Sequence, residues 1–228
     1  MALNNVSLNK LLKLLPRPLK AREAIIRRDA SEAVLKEKKS DNEDGGDFYG
    51  AFWCDAKEFV LRGGDLAKLV RARMRAGPSK RRLYPMLFEG FNRWYTANFS
   101  GSVPSEREEI VKAFGKCVKL TPKGSVRVHG LLAWKEPDGS SHLVYPYFDK
   151  DHGLGPRAAR LGRWTMSNAL SGHDPETMAI LDVLRGVAYD NDNSPLLGNE
   201  EELLSERFEG FLREWETQKR MLRRLSAE

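Results

Sequence analysis

Apolar residues recur along this chain with a helical period through its first hundred residues and with a strand period in the stretch that follows. Leu8, Leu11, Leu12 and Leu15 fall at i, i+3, i+4 and i+7, one stripe of a short helix ended by Pro16 and Pro18. Two turns of helix are not stable alone, so the stripe must dock, either on the rest of this chain or on a partner. A second helix is predicted from Ala21 to Lys39. Residues 40–46 then combine small, acidic and glycine residues with no apolar member, which marks a linker and a boundary.

The next stretch reads as three helices. Asp47 is placed to cap one that holds Phe48, Phe52 and Phe59, with Trp53 and Val60 beside them, and Gly63-Gly64 ends it. Asp65 caps the second, whose inner stripe is Leu66, Leu69, Val70 and Met74 and whose outer stripe is Lys68, Arg71 and Arg75. Gly77-Pro78 stops it. Lys80, Arg81 and Arg82 open the third, in which Leu83, Leu87, Phe91 and Tyr95 repeat every four residues and Pro85 is tolerated in the first turn.

From Ser105 the period changes. Ser105 to Glu108 resembles a capping box that starts a short helix through Phe114. Lys116–Thr121 and Ser125–Trp134 flank a turn at residues 122–124, and Val126, Val128, Gly130, Leu132 and Trp134 alternate with Arg127, His129, Leu131 and Ala133. A second turn, Pro137-Asp138-Gly139, leads into His142–Phe148, so these pieces are expected to form an antiparallel meander. Pro156 suits the first turn of a helix reaching Leu170, and Met178–Asp190 reads as one strand bent at Gly186. Asn199 caps a long final helix with Leu204, Phe208, Phe211 and Trp215 inward. Its first turn holds Glu200, Glu201 and Glu202 and its last Arg220, Arg223 and Arg224, each opposite in sign to the dipole end it faces. The expected fold class is α+β, a helical N-terminal part followed by an antiparallel-rich small sheet flanked by helices. Residues 1–46 form a basic arm and linker, 47–103 a helical subdomain, and 104–228 an α/β domain.

Composition narrows the classes. At 41% apolar residues the chain can build a genuine core, and no apolar run approaches the roughly 20 residues that cross a bilayer, so neither a membrane span nor a signal peptide is expected. Cys54 and Cys117 stand far apart without a companion at ligand spacing, which argues against a disulfide framework or zinc site and fits a reducing, cytoplasmic setting. Of the net charge of +6, all lies in residues 1–40, where ten Lys/Arg face four Asp/Glu. Such an arm contacts phosphates or an acidic protein partner, or is a solvated tail. Lys68, Arg71 and Arg75 along one helix, with Arg81 and Arg82 at the next turn, form a second basic set, and Arg157, Arg160 and Arg163 a third. Cations neutralise phosphates, and Trp94 and Tyr95 one helix later offer faces on which bases stack; the alternative is a solvated face with core aromatics.

The order from Ser105 onward, helix, three strands, helix, strand and closing helix, resembles the RecB-like branch of the PD-(D/E)XK nucleases. Where that family carries Gly-x-x-Asp, the chain has Gly130-Leu131-Leu132-Ala133, and where it carries Asp-Tyr-Lys or Glu-x-Lys, Tyr145-Pro146-Tyr147. A Gln and a Tyr on the following helix correspond to Gly162 and Met166. The resemblance implies a nuclease-like scaffold whose metal and lysine positions hold Ala133, Tyr145 and Tyr147, residues that cannot supply the carboxylate oxygens Mg²⁺ needs. No catalytic residue, metal or cofactor is therefore expected, unless a metal site has migrated to Asp149 and Asp182. Glu136, Asp138 and Asp151, with Lys135 and Lys150 beside them, read as solvated.

Phosphate-loop, nucleophile-elbow, zincin and dinucleotide motifs are absent from the sequence. His129 and His142 are placed to face each other across the hairpin, and Cys117 reads as a small core residue. Gly130 marks a bulge or a close backbone approach, and Pro146 argues for a strand with a free side or a bulge. That kink would aim Tyr145 and Tyr147 at the mouth of the cleft, as a binding surface or as filled core. The function expected is a non-catalytic, nucleic-acid-associated accessory protein. The alternatives are a protein-binding adaptor that docks through its arm, and a divergent metal-dependent nuclease.

Overall fold

A computed structural model of the chain describes residues 5–38, 49–77, 80–99, 104, 107–110 and 116–225. In chain order the elements are β1 (Asn5–Ser7), α1 (Leu8–Leu14), α2 (Leu19–Lys38), α3 (Gly50–Arg62), α4 (Leu66–Ala76) and α5 (Lys80–Asn98). After these come β2 (Glu108–Glu109), β3 (Lys116–Thr121), β4 (Gly124–Val128), β5 (Leu132–Lys135) and β6 (Ser141–Tyr147). The last part holds α6 (Pro156–Ala169), β7 (Met178–Asp182), β8 (Val187–Tyr189) and α7 (Glu200–Leu225). The class is mixed α and β. The linker at residues 40–46 and the cap at Asp47 lie outside the described residues.

The strands form two mixed sheets, one in the order β2-β5-β6-β7-β8 and a smaller one in the order β1-β4-β3. The five-stranded sheet is covered on both faces. Leu132, Trp134, Val144, Leu181 and Val183 join a cluster with Phe52, Trp53, Val60, Tyr84, Leu87, Phe91 and Trp94 of α3 and α5. Ala133, Leu143, Tyr145, Tyr147, Met178 and Ile180 join another with residues of α1, α6 and α7. A sheet dry on both sides carries apolar residues at consecutive positions, which is why Leu131 to Trp134 are all buried. β6 runs antiparallel to β5 and parallel to β7, the parallel step being bridged by α6.

The expected meander is therefore divided. β3 and β4 pair antiparallel in the small sheet, and β5 and β6 do so in the large one. The division falls at Gly130, whose φ of +77° breaks the run that the sequence predicts as one strand. Val126 and Val128 share a cluster with Leu131 and Ala133, so the break shifts the side-chain phase by one. Indole Nε1 of Trp53 donates to the Gly130 carbonyl at 2.5 Å and fixes the bend.

Other departures have local causes. The expected helix from Ser105 is replaced, at the described positions, by extended chain: Glu108 and Glu109 pair with Lys135 and Trp134, and Ile110 N–H donates to the Ala133 carbonyl. Arg107 anchors it, its buried guanidinium donating to the Val60 carbonyl and lying over the Phe99 ring. Met178–Asp190 is two strands, turned by a bond from Gly186 N–H to the Asp182 carbonyl at 2.8 Å. On α4 Leu66 and Val70 are buried while Leu69 is exposed, and on α5 the buried stripe is Tyr84, Leu87, Phe91 and Trp94 instead of one through Leu83 and Tyr95. Gly90 sets that face: a Cβ there would lie 2.2 Å from the Val183 carbonyl oxygen, so α5 sits directly on the β7–β8 turn.

The arm belongs to the interior. β1 pairs in parallel with β4, and Leu8, Leu11, Leu12 and Leu14 are buried in the same cluster as α6 and α7. The leucine stripe is thus covered by its own chain and is not presented to a partner. α2 lies along α7, where Arg22 bonds Glu214 at 2.6 Å and stacks over Phe211. Leu12→Ala is expected to cost about 2–5 kcal/mol by removing a fully buried side chain, and deleting residues 1–15 should abolish cooperative unfolding. Urea denaturation followed by circular dichroism checks both; a truncated chain that keeps a sharp transition would show the arm to be dispensable.

Candidate functional site

The positions at which the resemblance implies catalytic groups lie on the sheet face turned to α1 and α6, and that face is packed. Ala133, Tyr145 and Tyr147 are buried, the last completely. Asn9 of α1 grips β6 twice: its N–H donates to the Tyr145 hydroxyl at 2.9 Å, and its side-chain Oδ1 accepts from Phe148 N–H at 3.2 Å. On α6, Gly162 leaves no side chain. A Cβ at that position would stand 2.3 Å from Ile180 Cδ1 and 2.8 Å from Leu12 Cδ2, so the missing side chain is what admits Leu12. Pro146 lies beyond the last β5–β6 pair at Val144, so its missing N–H falls on the free side of the strand. The two tyrosines are filled core and do not line an open cleft.

The acids are bound by the chain itself. Asp149 receives a hydrogen-bonded ion pair from Arg17 and backbone N–H bonds from Asp151 and His152. Burial pushes its carboxyl up, and the Arg17 and backbone donors outweigh that and hold it below the ordinary carboxylate range. Asp182 accepts from Leu154 N–H at 2.9 Å and from Arg185, yet burial prevails and raises its pKa. Tyr147, between them, donates to the His152 carbonyl at 3.1 Å, and burial with the two nearby carboxylates pushes its phenol well up. Asp138 closes a turn through Ser140, and Trp134 Nε1 donates to Glu136. Asp151, Lys135 and Lys150 are exposed. Among the described residues no group of three or more His, Cys, Asp or Glu is arranged to hold a metal ion.

His142 stacks on Trp134 at 4.9 Å, whereas His129 lies exposed past the end of β4, so the two do not meet. Cys117 is exposed and not a core residue, because it lies on the solvent side of β3.

The basic sets divide. Arg163 is 1% exposed, and its guanidinium donates to the carbonyls of Met178, Pro175 and Ser194, so it ties α6 to the turns around β7 and offers nothing to a ligand. Arg160 pairs with the buried Glu200 at 3.1 Å, and that carboxylate accepts from Leu197 and Gly198 N–H at the start of α7. Arg157 is exposed. Lys68, Arg71, Arg75, Arg81 and Arg82 are all exposed on α4 and the first turn of α5. Between Asp65 and Glu89 the sequence contains seven Lys/Arg and no acid. Arg73 is neutralised by Asp55, and Arg71 reaches Asp65 only at 3.8 Å between two exposed groups. α5 begins with Lys80, Arg81 and Arg82 and has no acid in its first turn, so three cations crowd the positive end of a helix dipole. An anion is the complement that such an end lacks.

No described helix is long and apolar enough to cross a membrane. No family model matches the chain, and no curated protein or solved structure matches it either.

Arg17 was not legible as a partner because the carboxylate it holds lies 132 residues away in sequence, and Arg185 was not because residues three apart in what reads as one strand face opposite sides. Replacing Asp149 by Asn tests the first clamp. The folded pKa is depressed, so the stability it supplies is full above the unfolded value of about 3.9 and is lost as pH falls through the lower folded value. Asp149→Asn should therefore lower stability at pH 7 by about 3–5 kcal/mol and flatten the decline on acidification. Urea midpoints from pH 7 down to pH 2 check this; parallel curves for parent and variant would show the pair to be idle.

Proposed function

We infer that this protein is a non-catalytic, nucleic-acid-associated accessory protein that holds a phosphate backbone on the α4–α5 face. The observation that carries this reading is the acid-free basic stretch at the α4–α5 corner, with five exposed cations and the start of a 19-residue helix added to them. Cations placed this way repel one another and the helix end, and bound phosphates relieve both repulsions. A degenerate PD-(D/E)XK scaffold is supported by the order β5, β6, α6, β7, with an antiparallel and then a parallel step. The nuclease alternative is disfavoured because Asp149 and Asp182 are engaged by Arg17 and Arg185.

A second reading, a protein-binding adaptor, is favoured by Leu69 and Met86, apolar side chains 42% and 47% exposed on the same two helices. One experiment separates the two. Binding of a labelled single or double strand should weaken steeply with salt, log K falling by about 0.7–0.9 per phosphate contacted for each unit of log salt. Reversing Lys68, Arg71 and Arg75 to Glu should flatten that slope and leave the unfolding midpoint unchanged, since Leu66 and Val70 are untouched. An unchanged slope, or no binding at low salt, promotes the adaptor. No Mg²⁺- or Mn²⁺-dependent cleavage is expected; cleavage lost in Asp149→Ala or Asp182→Ala would restore the nuclease reading.

A further inference from the structure

We propose that the open cleft between α1, α2 and the loop after β6 binds a phosphate monoester carried on a hydroxyl-bearing sugar. The cleft measures about 420 Å³, and it is lined by Lys10, Lys13 and Arg17 of the arm, Asp29 of α2, Tyr49 and Lys150. It lies beyond the carboxyl end of β6, past the last β5–β6 pair at Val144.

Two of its lining residues carry polar atoms without a partner. Arg17 is 11% exposed and binds Asp149 through Nη2, but its Nε–H is buried with no acceptor. Lys13 forms no ion pair among the described residues; its ammonium lies 5.6 Å from the centre of the Tyr49 ring, and burial pushes its pKa down despite the attraction of Asp149 and Asp151. A partly desolvated cation and an orphaned guanidinium N–H call for a compact acceptor of high charge. The complementary group is Asp29, 5% exposed, whose Oδ1 accepts from Lys10 while Oδ2 is buried without a donor. The phosphate dianion of a monoester keeps no proton to donate to that oxygen, whereas a sugar hydroxyl does. Of the other carboxylates of the wall, Asp149 already holds one edge of Arg17, Glu32 pairs with Arg28 at 3.1 Å and Asp151 is solvated, so Lys13 and Lys150 are the lining cations without an ion pair among the described residues. Tyr49 is stacked on Phe148 at 4.8 Å with Lys13 over its ring, so recognition stops at the sugar phosphate and does not extend to a stacked base.

None of Lys68, Arg71 and Arg75 lines this site, and it does not rest on the function proposed for them. Calorimetric titration of the full chain at low salt with ribose 5-phosphate, inorganic phosphate and ribose tests it. Ribose 5-phosphate should bind saturably and about tenfold more tightly than inorganic phosphate, with ribose silent. Lys13→Gln should weaken it by about tenfold at an unchanged melting temperature, and the exposed Lys150→Gln by about threefold, which keeps the test open if the first variant fails to fold. Asp29→Asn should weaken ribose 5-phosphate more than inorganic phosphate, because the sugar hydroxyl donates to that oxygen. A 5′-phosphorylated oligonucleotide that binds in a Lys13-dependent way, against a silent 5′-hydroxyl strand, identifies the source as a strand end; binding of the free sugar phosphate alone identifies a small molecule. Reversal of Lys68, Arg71 and Arg75 should leave ribose 5-phosphate binding intact. No saturable binding of any phosphorylated probe at millimolar concentration, or equal binding by the parent and both lysine variants, overturns the proposal.

Discussion

The packing of α1 against β6, β7 and α6 is the constraint on which the rest of the structure depends. Leu12 enters the gap that Gly162 leaves beside Ile180, and Asn9 ties the same helix to Tyr145 and Phe148. Neither half of this arrangement tolerates change by itself, since a side chain at 162 would collide with the leucine and a smaller residue at 12 would leave a void. Once the face is closed, the residues beneath it are held to apolar or hydrogen-bonded types. A carboxylate pair at 133 and 145 would lie under the leucines without water or metal, a burial that costs several kcal/mol per ion. The closed face and the absent acids are one physical fact seen from two sides.

The same closure organises the charges at its edge. Arg17 follows α1 directly and reaches Asp149, and Arg185, in the β7–β8 turn, reaches Asp182 and the Asp149 carbonyl. Guanidinium groups thus stand beside carboxylates as fixed counter-charges that the chain itself supplies. Their neighbours in the arm, Lys10 and Lys13, are drawn towards the interior by the leucines between them, and burial lowers the pKa of both. The basic character of the arm is therefore only partly a property of its surface.

Element types were largely legible in the sequence, and layer membership was not. The cap at Asp65, Pro156 at the start of α6 and the buried face of α7 follow from local rules, and the structure has all three. The break at Gly130 was readable as an irregularity, but its consequence, two sheets in place of one, depends on the β1–β4 pairing across more than a hundred residues. Residues 108–110 follow the edge of β5 because Arg107 is buried under Phe99, and no local preference encodes that. For the site, exposure of Lys68, Arg71 and Arg75 follows from helical period alone. Arg157, Arg160 and Arg163 also recur at near-helical spacing, yet Ala158, Ala159, Leu161 and Gly162 between them mark a helix packed on several faces, and Arg163 is enclosed accordingly.

That enclosure bears on how any nucleic acid would lie. On the proposed reading the phosphates meet α4 and the start of α5, in the helical layer packed on one face of the five-stranded sheet, while the positions matching nuclease chemistry sit under α1 on the other. Binding would then be a property of the helical layer, and the sheet would serve only to hold that layer in place. The close seat of Gly90 on the β7–β8 turn gives this a physical form, because it fixes the orientation of α5, and with it the basic first turn, relative to the sheet. A surface built in this way is rigid through its backbone contact and adaptable through its long cationic side chains, which suits recognition of a repeating backbone charge better than recognition of any one base.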